Sequence, residues 1–75
     1  MSPVITRFAL LLSEKERKEK KKYSYQDVAD KTGIAKSTLS KWATNKVTKF
    51  DAETIDKLCG FLECQPGDLL IRVDD

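Results

Sequence analysis

Hydrophobic positions recur at helical spacing along most of the chain, and this spacing predicts a succession of short helices. Ser2 and Pro3 are typical of a helix start, because Ser can cap the first turn and Pro has the backbone angle that this turn requires. The residues that follow form one apolar stripe, made of Val4, Ile5, Phe8, Leu11 and Leu12. We therefore expect a first helix that begins near Pro3.

The segment 14–22 contains only charged residues, three acidic and six basic. Glu14 lies four residues before Lys18, and Glu16 four residues before Lys20, an order in which ion pairs stabilise a helix. We expect a solvated extension of the first helix here, and the pattern leaves a basic loop open as the alternative.

A second helix is predicted after Ser24. The Ser24 side chain can cap the amide of Asp27, while the Asp27 carboxylate reaches back to the amide of Ser24. Tyr23 and Val28 have the spacing of a hydrophobic staple. We expect this helix to end at Gly33, because glycine adopts the left-handed conformation without steric cost.

Three more helices are predicted in the second half of the chain. The third runs from Lys36 to about Asn45, and Asp51 can cap a fourth. The fourth has an apolar face made of Ile55, Leu58, Cys59 and Leu62. Positions 69–70 indicate a last helical turn, and 71–75 a short strand or a tail. The expected fold is a single all-α domain over residues 1–75.

Composition and charge narrow the classes of function. A chain of 75 residues suits one small domain with a modest core, and its net charge of +2 conceals an asymmetry. Residues 7–49 contain twelve basic and five acidic side chains, whereas residues 50–75 contain two basic and seven acidic ones. The basic section suggests a polyanionic partner, and charge alone leaves nucleic acid, an anionic membrane and an acidic protein open.

The residue types present make several kinds of site improbable. The chain has no His and only two Cys, Cys59 and Cys64, so a tetrahedral zinc site cannot be completed within it. We expect these cysteines to be buried free thiols. The longest apolar run is far too short for a membrane span, and no secretory signal is expected. We therefore expect an intracellular binding protein, with no enzyme activity, cofactor or metal.

Two short helices joined by a tight turn with a glycine are typical of a helix-turn-helix, which we place at about residues 24–45, with Tyr23 leading into it. Its geometry requires a small residue where the helices cross, a residue tolerant of positive φ in the turn, and apolar contacts between the helices. Six residues meet these requirements: Val28, Ala29, Gly33, Ile34, Leu39 and Trp42. With Leu39 and Trp42 directed inward, the polar side of the third helix faces outward.

That outward side suits double-stranded DNA, because it carries donors and acceptors and no acidic residue. Lys can donate to guanine, and Ser can pair with several base edges. Base reading is accordingly assigned to Lys36, Ser37, Ser40 and Lys41. Contacts to DNA phosphates are assigned to the polar residues around them, namely Tyr25, Gln26, Thr38, Thr44, Asn45, Lys46 and Lys49.

The segments 28–34 and 36–42, VADKTGI and KSTLSKW, resemble the helix-turn-helix of the Cro and phage-repressor family. Residues 51–70 resemble the C-terminal helices of its small bacterial members, so the resemblance covers about residues 4–70. It implies a five-helix, lambda-repressor-like domain and sequence-specific DNA binding. It also implies a cytoplasmic, nucleoid-associated regulator, usually a repressor that acts as a homodimer on a palindromic operator. Tyr25 and Ala35 depart from the pattern, since the family usually has Gln and Ser at these positions.

Two other functions are compatible with the same residues. A protein-interaction module, such as an antitoxin or an assembly adaptor, would use the acidic section, with 71–73 as a pairing edge. A membrane-surface protein would use the apolar stripe 4–12 together with the lysines of segment 14–22. The first predicts protein binding without DNA affinity, and the second predicts binding to anionic liposomes. DNA binding is preferred, because the helix-turn-helix lies within the basic section.

Overall fold

The computed structural model describes residues 4–73, which form five helices and a two-stranded sheet. In chain order the elements are β1 (Val4–Thr6), α1 (Phe8–Glu19), α2 (Tyr25–Thr32), α3 (Lys36–Ala43), α4 (Ala52–Leu62), α5 (Pro66–Leu69) and β2 (Leu70–Arg72). The predicted helical, five-helix architecture is confirmed, and a small sheet is added to it.

A single hydrophobic core joins the five helices. Its buried side chains are Phe8, Leu12, Val28, Ile34, Leu39, Trp42, Leu58 and Leu69. Full burial of one such side chain contributes roughly 1.5–3 kcal/mol to folding, and partly buried side chains such as Tyr23, Phe50 and Phe61 pack against this core. Because α2 and α3 contribute Val28, Leu39 and Trp42, the packing of the core directly fixes how these two helices lie against each other.

The prediction of a first helix that begins near Pro3 is wrong for the described residues. Val4–Thr6 is a strand that pairs antiparallel with Leu70–Arg72, with Ile5 opposite Ile71, and α1 begins only at Phe8. Three consecutive β-branched residues favour the extended conformation, and the partner strand lies at the other end of the chain. The predicted start at positions 2 and 3 lies outside the described residues.

The charged segment 14–22 divides into a helix and a loop. Helix α1 continues to Glu19, and Lys20 then adopts the left-handed conformation with φ 54°. The ion pair formed in this segment is Lys15–Glu19 at 2.6 Å. The predicted pairs Glu14–Lys18 and Glu16–Lys20 are not among the ion pairs of residues 4–73. The second is lost because Lys20 has left the helix and the Glu16 carboxylate accepts a hydrogen bond from the Tyr23 amide.

The end of the chain follows the predicted signals closely. The Asp51 carboxylate caps α4 by accepting a hydrogen bond from the Thr54 amide at 3.0 Å, and Leu58 is fully buried on the inner face of this helix. Helix α5 ends at Leu69, one residue earlier than expected, because Leu70 begins β2. Positions 74 and 75 of the predicted strand or tail lie outside the described residues.

The two cysteines lie within and just after α4. Cys59 and Cys64 are free and half-buried, so the prediction of free thiols is confirmed and the prediction of full burial is not. None of the helices between residues 4 and 73 has the length and hydrophobicity that crossing a lipid bilayer requires.

Candidate nucleic-acid interface

The turn between α2 and α3 is held to the end of α2 by hydrogen bonds. Gly33 takes a left-handed conformation with φ 77°, and its amide donates to the Ala29 carbonyl at 2.8 Å. The Thr32 hydroxyl donates to the Val28 carbonyl at 2.7 Å and accepts from the Ile34 amide at 3.2 Å. These bonds pair backbone groups at the end of α2, so the chain leaves this helix along one defined path. Thr32 is a residue that the sequence reasoning missed.

Helix α2 begins with the predicted reciprocal cap. The Asp27 amide donates to the Ser24 hydroxyl at 3.1 Å, and the Ser24 amide donates to the Asp27 carboxylate at 3.0 Å. Hydrogen bonds that the Ser24 amide and, second, the Ser24 hydroxyl donate to the Asp27 carboxylate lower the pKa of this carboxyl below its usual range. The cap therefore holds the N-terminus of α2, where Tyr25 and Gln26 follow, in one position.

The inner side of α3 is buried. Leu39 is fully buried and Trp42 is 1% exposed. The Trp42 ring meets the Phe50 ring edge to face, with centroids 5.5 Å apart. This burial fixes the rotation of α3 about its own axis. The prediction that Trp42 is a core residue is confirmed.

The outer side of α3 presents the four residues to which base reading is assigned. Lys36, Ser37, Ser40 and Lys41 are all exposed. At 3.6 residues per turn they fall within an arc of about 140°, which Thr44 shares. Within residues 4–73 the ion pairs are Lys15–Glu19 and Lys57–Glu53, so no carboxylate of this part of the chain neutralises the lysines of α3.

The residues assigned to phosphate contacts do not all have a free donor. Lys46 and Lys49 are exposed in the loop after α3, whereas Tyr25 and Thr38 are half-buried. The Thr44 hydroxyl donates to the Ser40 carbonyl at 2.8 Å. It must give up that bond before it can donate to a phosphate.

The Gln26 side chain is likewise partly engaged. Its amide donates to the Asp30 carboxylate at 2.9 Å, across one turn of α2. An amide nitrogen has two hydrogens, so one donor stays available toward solvent. The Asp30 carboxylate lies beside it on the exposed side of α2, and it makes this part of the surface less favourable for an anion than the side of α3.

The C-terminus of α3 is joined to β1. Asn45 is left-handed with φ 60°, and the Lys46 amide donates to the Lys41 carbonyl at 2.8 Å, which closes the helix. The Thr6 amide donates to the Asn45 side-chain oxygen at 3.1 Å, and the Thr6 hydroxyl donates to the Trp42 carbonyl at 2.5 Å. Asn45 is thus a structural residue as well as a candidate phosphate contact. Thr6 has no signal in the sequence, because its role depends on a partner far along the chain.

The apolar stripe on which the membrane-surface alternative depends is largely used by the fold. Phe8 is fully buried and Leu12 is 7% exposed, while positions 4–6 lie in the sheet. Leu10 is 49% exposed and stands alone in α1 as a large exposed hydrophobic side chain. A membrane surface requires an exposed apolar face, and this segment does not present one.

Comparisons with known proteins agree with this geometry. Residues 15–75 match the family model of the Cro/C1-type HTH DNA-binding domain, a class of DNA-binding domains and not of enzymes. Over 51 residues, 68% of the chain, the sequence is 35% identical to the uncharacterised HTH-type transcriptional regulator YozG of Bacillus subtilis. The match spans 61% of that relative's length.

A solved structure is similar in fold. The crystal structure of a candidate DNA-binding protein from Bacteroides fragilis superposes with a TM-score of 0.70, covering 91% of this chain and 98% of the other. The two sequences are 22% identical. The similarity therefore shows a shared fold and gives no information on the role of individual side chains.

Proposed function

The chain belongs to the Cro/C1-type helix-turn-helix DNA-binding domain family, and on this premise we propose that it binds specific sequences of double-stranded DNA with α3 in the major groove. One observation supports the proposal above all. Lys36, Ser37, Ser40 and Lys41 are exposed along one side of a helix whose other side is buried, with no acidic residue in that helix. Such a helix can enter a groove without disturbing the core.

The proposal assigns two kinds of contact. Lys36 and Lys41 donate to guanine, and Ser37 and Ser40 pair with neighbouring base edges. The surrounding polar residues position the protein on the DNA backbone without reading sequence; they are Tyr25, Gln26, Thr38, Thr44, Asn45, Lys46 and Lys49. Val28, Ala29, Gly33, Ile34, Leu39 and Trp42 hold the geometry. Gln26 can use its second amide hydrogen, whereas Thr44 acts only after its hydroxyl gives up the Ser40 carbonyl.

At the level of the whole protein, we propose one domain over residues 1–75 that regulates transcription, as a repressor, in the cytoplasm at the nucleoid. Two copies would bind a palindromic operator, because a two-fold protein dimer matches two half-sites one helical turn apart. The name of the Bacillus subtilis relative supports the regulatory role. The region 69–73 is proposed to hold the contact between the copies, through the residues after Leu69, which is itself buried in the core.

The test is fluorescence anisotropy with a labelled duplex from a random pool, followed by selection of the preferred sequence. Lys36→Ala/Lys41→Ala should weaken binding to the selected sequence. Lys36→Ala alone should cost about 1–3 kcal/mol of binding free energy and relax the preference at one or two base pairs. Lys31→Ala/Lys57→Ala removes the same charge from the hollow between α2 and α4 and serves as the matched control.

The outcomes separate the candidate functions. A selected sequence that the α3 variant no longer prefers, with the control unchanged, supports base reading by α3. If the α3 variant binds all DNA sequences more weakly by the same factor, the two lysines contact phosphates and not bases. A folded protein with no DNA affinity at low salt would refute the proposal and favour the protein-interaction module.

A further inference from the structure

In the loop that joins α1 to α2, residues 20–24, the first three residues are exposed lysines. Its first residue, Lys20, is left-handed, and its amide donates to the Arg17 carbonyl at 3.4 Å. The Lys21 amide donates to the Glu16 carbonyl at 3.0 Å. This pair of bonds closes α1 in the same way that Lys46 closes α3, so the start of the loop has one defined path.

The other end of the loop is anchored through Tyr23. Its amide donates to the Glu16 carboxylate at 2.7 Å, and its hydroxyl donates to the Glu19 carboxylate at 2.5 Å. The Tyr23 ring meets the Phe61 ring edge to face, with centroids 5.4 Å apart. A loop held at both ends loses little further conformational entropy when it binds a ligand.

The lysines of the loop form no ion pair within residues 4–73. Of the nearby carboxylates, Glu16 is engaged by the Tyr23 amide, and Glu19 by Lys15 and the Tyr23 hydroxyl. Lys20 and Lys22 make no ion pair within residues 4–73. They line one hollow at the end of α1, together with Ser13, Glu16, Arg17 and Lys21.

The loop leads directly into the N-terminus of α2, which the proposed function places at the DNA backbone. Lys22 lies three residues from Tyr25 and Lys20 five, so their backbones are at most about 11 and 18 Å from it. Among residues 4–73 the large exposed hydrophobic side chains are Leu10 and Val73, and neither belongs to the loop. The surface therefore carries mainly basic side chains and no large exposed hydrophobic one, as suits a phosphate backbone better than a membrane surface.

We propose that Lys20 and Lys22 form a second phosphate-binding surface, which continues the DNA-backbone contacts of α2 beyond the helix-turn-helix. This inference rests on the proposed function. It assigns affinity to the loop and no sequence preference, because phosphates are the same at every base pair.

The test compares the salt dependence of DNA affinity between 50 and 200 mM salt for wild type, Lys20→Gln/Lys22→Gln and the control Lys31→Gln/Lys57→Gln. Removal of one lysine–phosphate pair should lower the slope of log affinity against log salt by about 0.9, so the loop variant should show a slope smaller by about 1.8. The ratio of wild-type DNA affinity to that of the loop variant should then be about tenfold larger at 50 mM than at 200 mM salt. The control should keep the wild-type slope, and thermal unfolding followed by circular dichroism verifies that each variant is folded.

The outcomes distinguish this inference from the proposed function. Equal slopes in the loop variant and in wild type, or the same decrease in the control, would overturn the inference, while weakening by Lys36→Ala/Lys41→Ala would still support α3. Wild type without DNA affinity would overturn both. Binding to vesicles with anionic lipid that only the loop variant loses, at an unchanged DNA slope, would assign the loop to a membrane and overturn the inference.

Discussion

Replacement of Asn45 tests how the end of α3 is attached to the rest of the domain. Asn45 contributes in two separable ways: it adopts φ 60° to end the helix, and its side-chain oxygen accepts a hydrogen bond from the Thr6 amide. Replacement by Gly, Ala or Asp separates these two contributions. Gly keeps the conformation and loses the acceptor, Asp keeps both, and Ala keeps neither.

The expected magnitudes follow from those two contributions. A solvent-exposed hydrogen bond of this type contributes about 0.5–1 kcal/mol net, and the left-handed conformation costs a residue with a Cβ about 1–2 kcal/mol. We expect Asn45→Ala to lower the free energy of unfolding by about 2 kcal/mol, Asn45→Gly by about 0.5–1 kcal/mol, and Asn45→Asp by less than about 0.5 kcal/mol. The free energy of unfolding of a domain of this length is only about 4–11 kcal/mol in total, so the Ala variant should be readily distinguished from wild type.

Urea unfolding followed by tryptophan fluorescence measures these differences. Trp42 is the single tryptophan of the chain and is 1% exposed, so its emission reports the core beside the site. Equal stability of the Gly and Ala variants would refute the conformational argument, and a fully stable Gly variant would refute the contribution of the Thr6 bond. DNA affinity measured on the Gly variant tests the separate proposal that the Asn45 side chain contacts phosphate.

Two further predictions concern titratable groups. Hydrogen bonds from Ser24 and Thr54 lower the pKa of the Asp27 and Asp51 carboxyls, respectively, in the folded domain. The ionised carboxylates therefore stabilise the fold above their unfolded pKa of about 3.9, and this stability is lost as the pH falls through the lower folded pKa values. The free energy of unfolding should decrease as the pH is lowered below 4. Parallel curves of this free energy against pH for wild type and Asp27→Asn/Asp51→Asn would contradict this cause. Burial, followed by the neighbouring Cys59 thiol, raises the pKa of the Cys64 thiol to about 11, so its alkylation rate should rise about tenfold per pH unit from pH 7 to 10. A plateau near pH 8.5 in mass-spectrometric labelling would contradict that value.

The helix boundaries that depend on nearby residues were predictable from the sequence. Three such boundaries are the reciprocal cap at Ser24, the left-handed Gly33 and the cap at Asp51. Each depends on residues within a few positions of one another, so the rest of the fold has little influence on it. The apolar stripe of α3, Leu39 with Trp42, is local in the same sense. These signals sufficed for the helix-turn-helix and for the side of α3 that faces outward.

The sequence by itself determined the helix-turn-helix, its hydrophobic side and the basic character of its surroundings, because those features depend on spacing and charge along a few turns of chain. Only the tertiary structure decided that Val4–Thr6 is a strand, that Thr6 holds the end of α3, and that Glu16 fixes Tyr23 in place of pairing with Lys20. Each of these depends on which backbone group or side chain a residue meets after the chain has folded. Helical periodicity cannot distinguish an apolar residue that continues a helix from one that pairs with a distant strand, since both bury the same side chain.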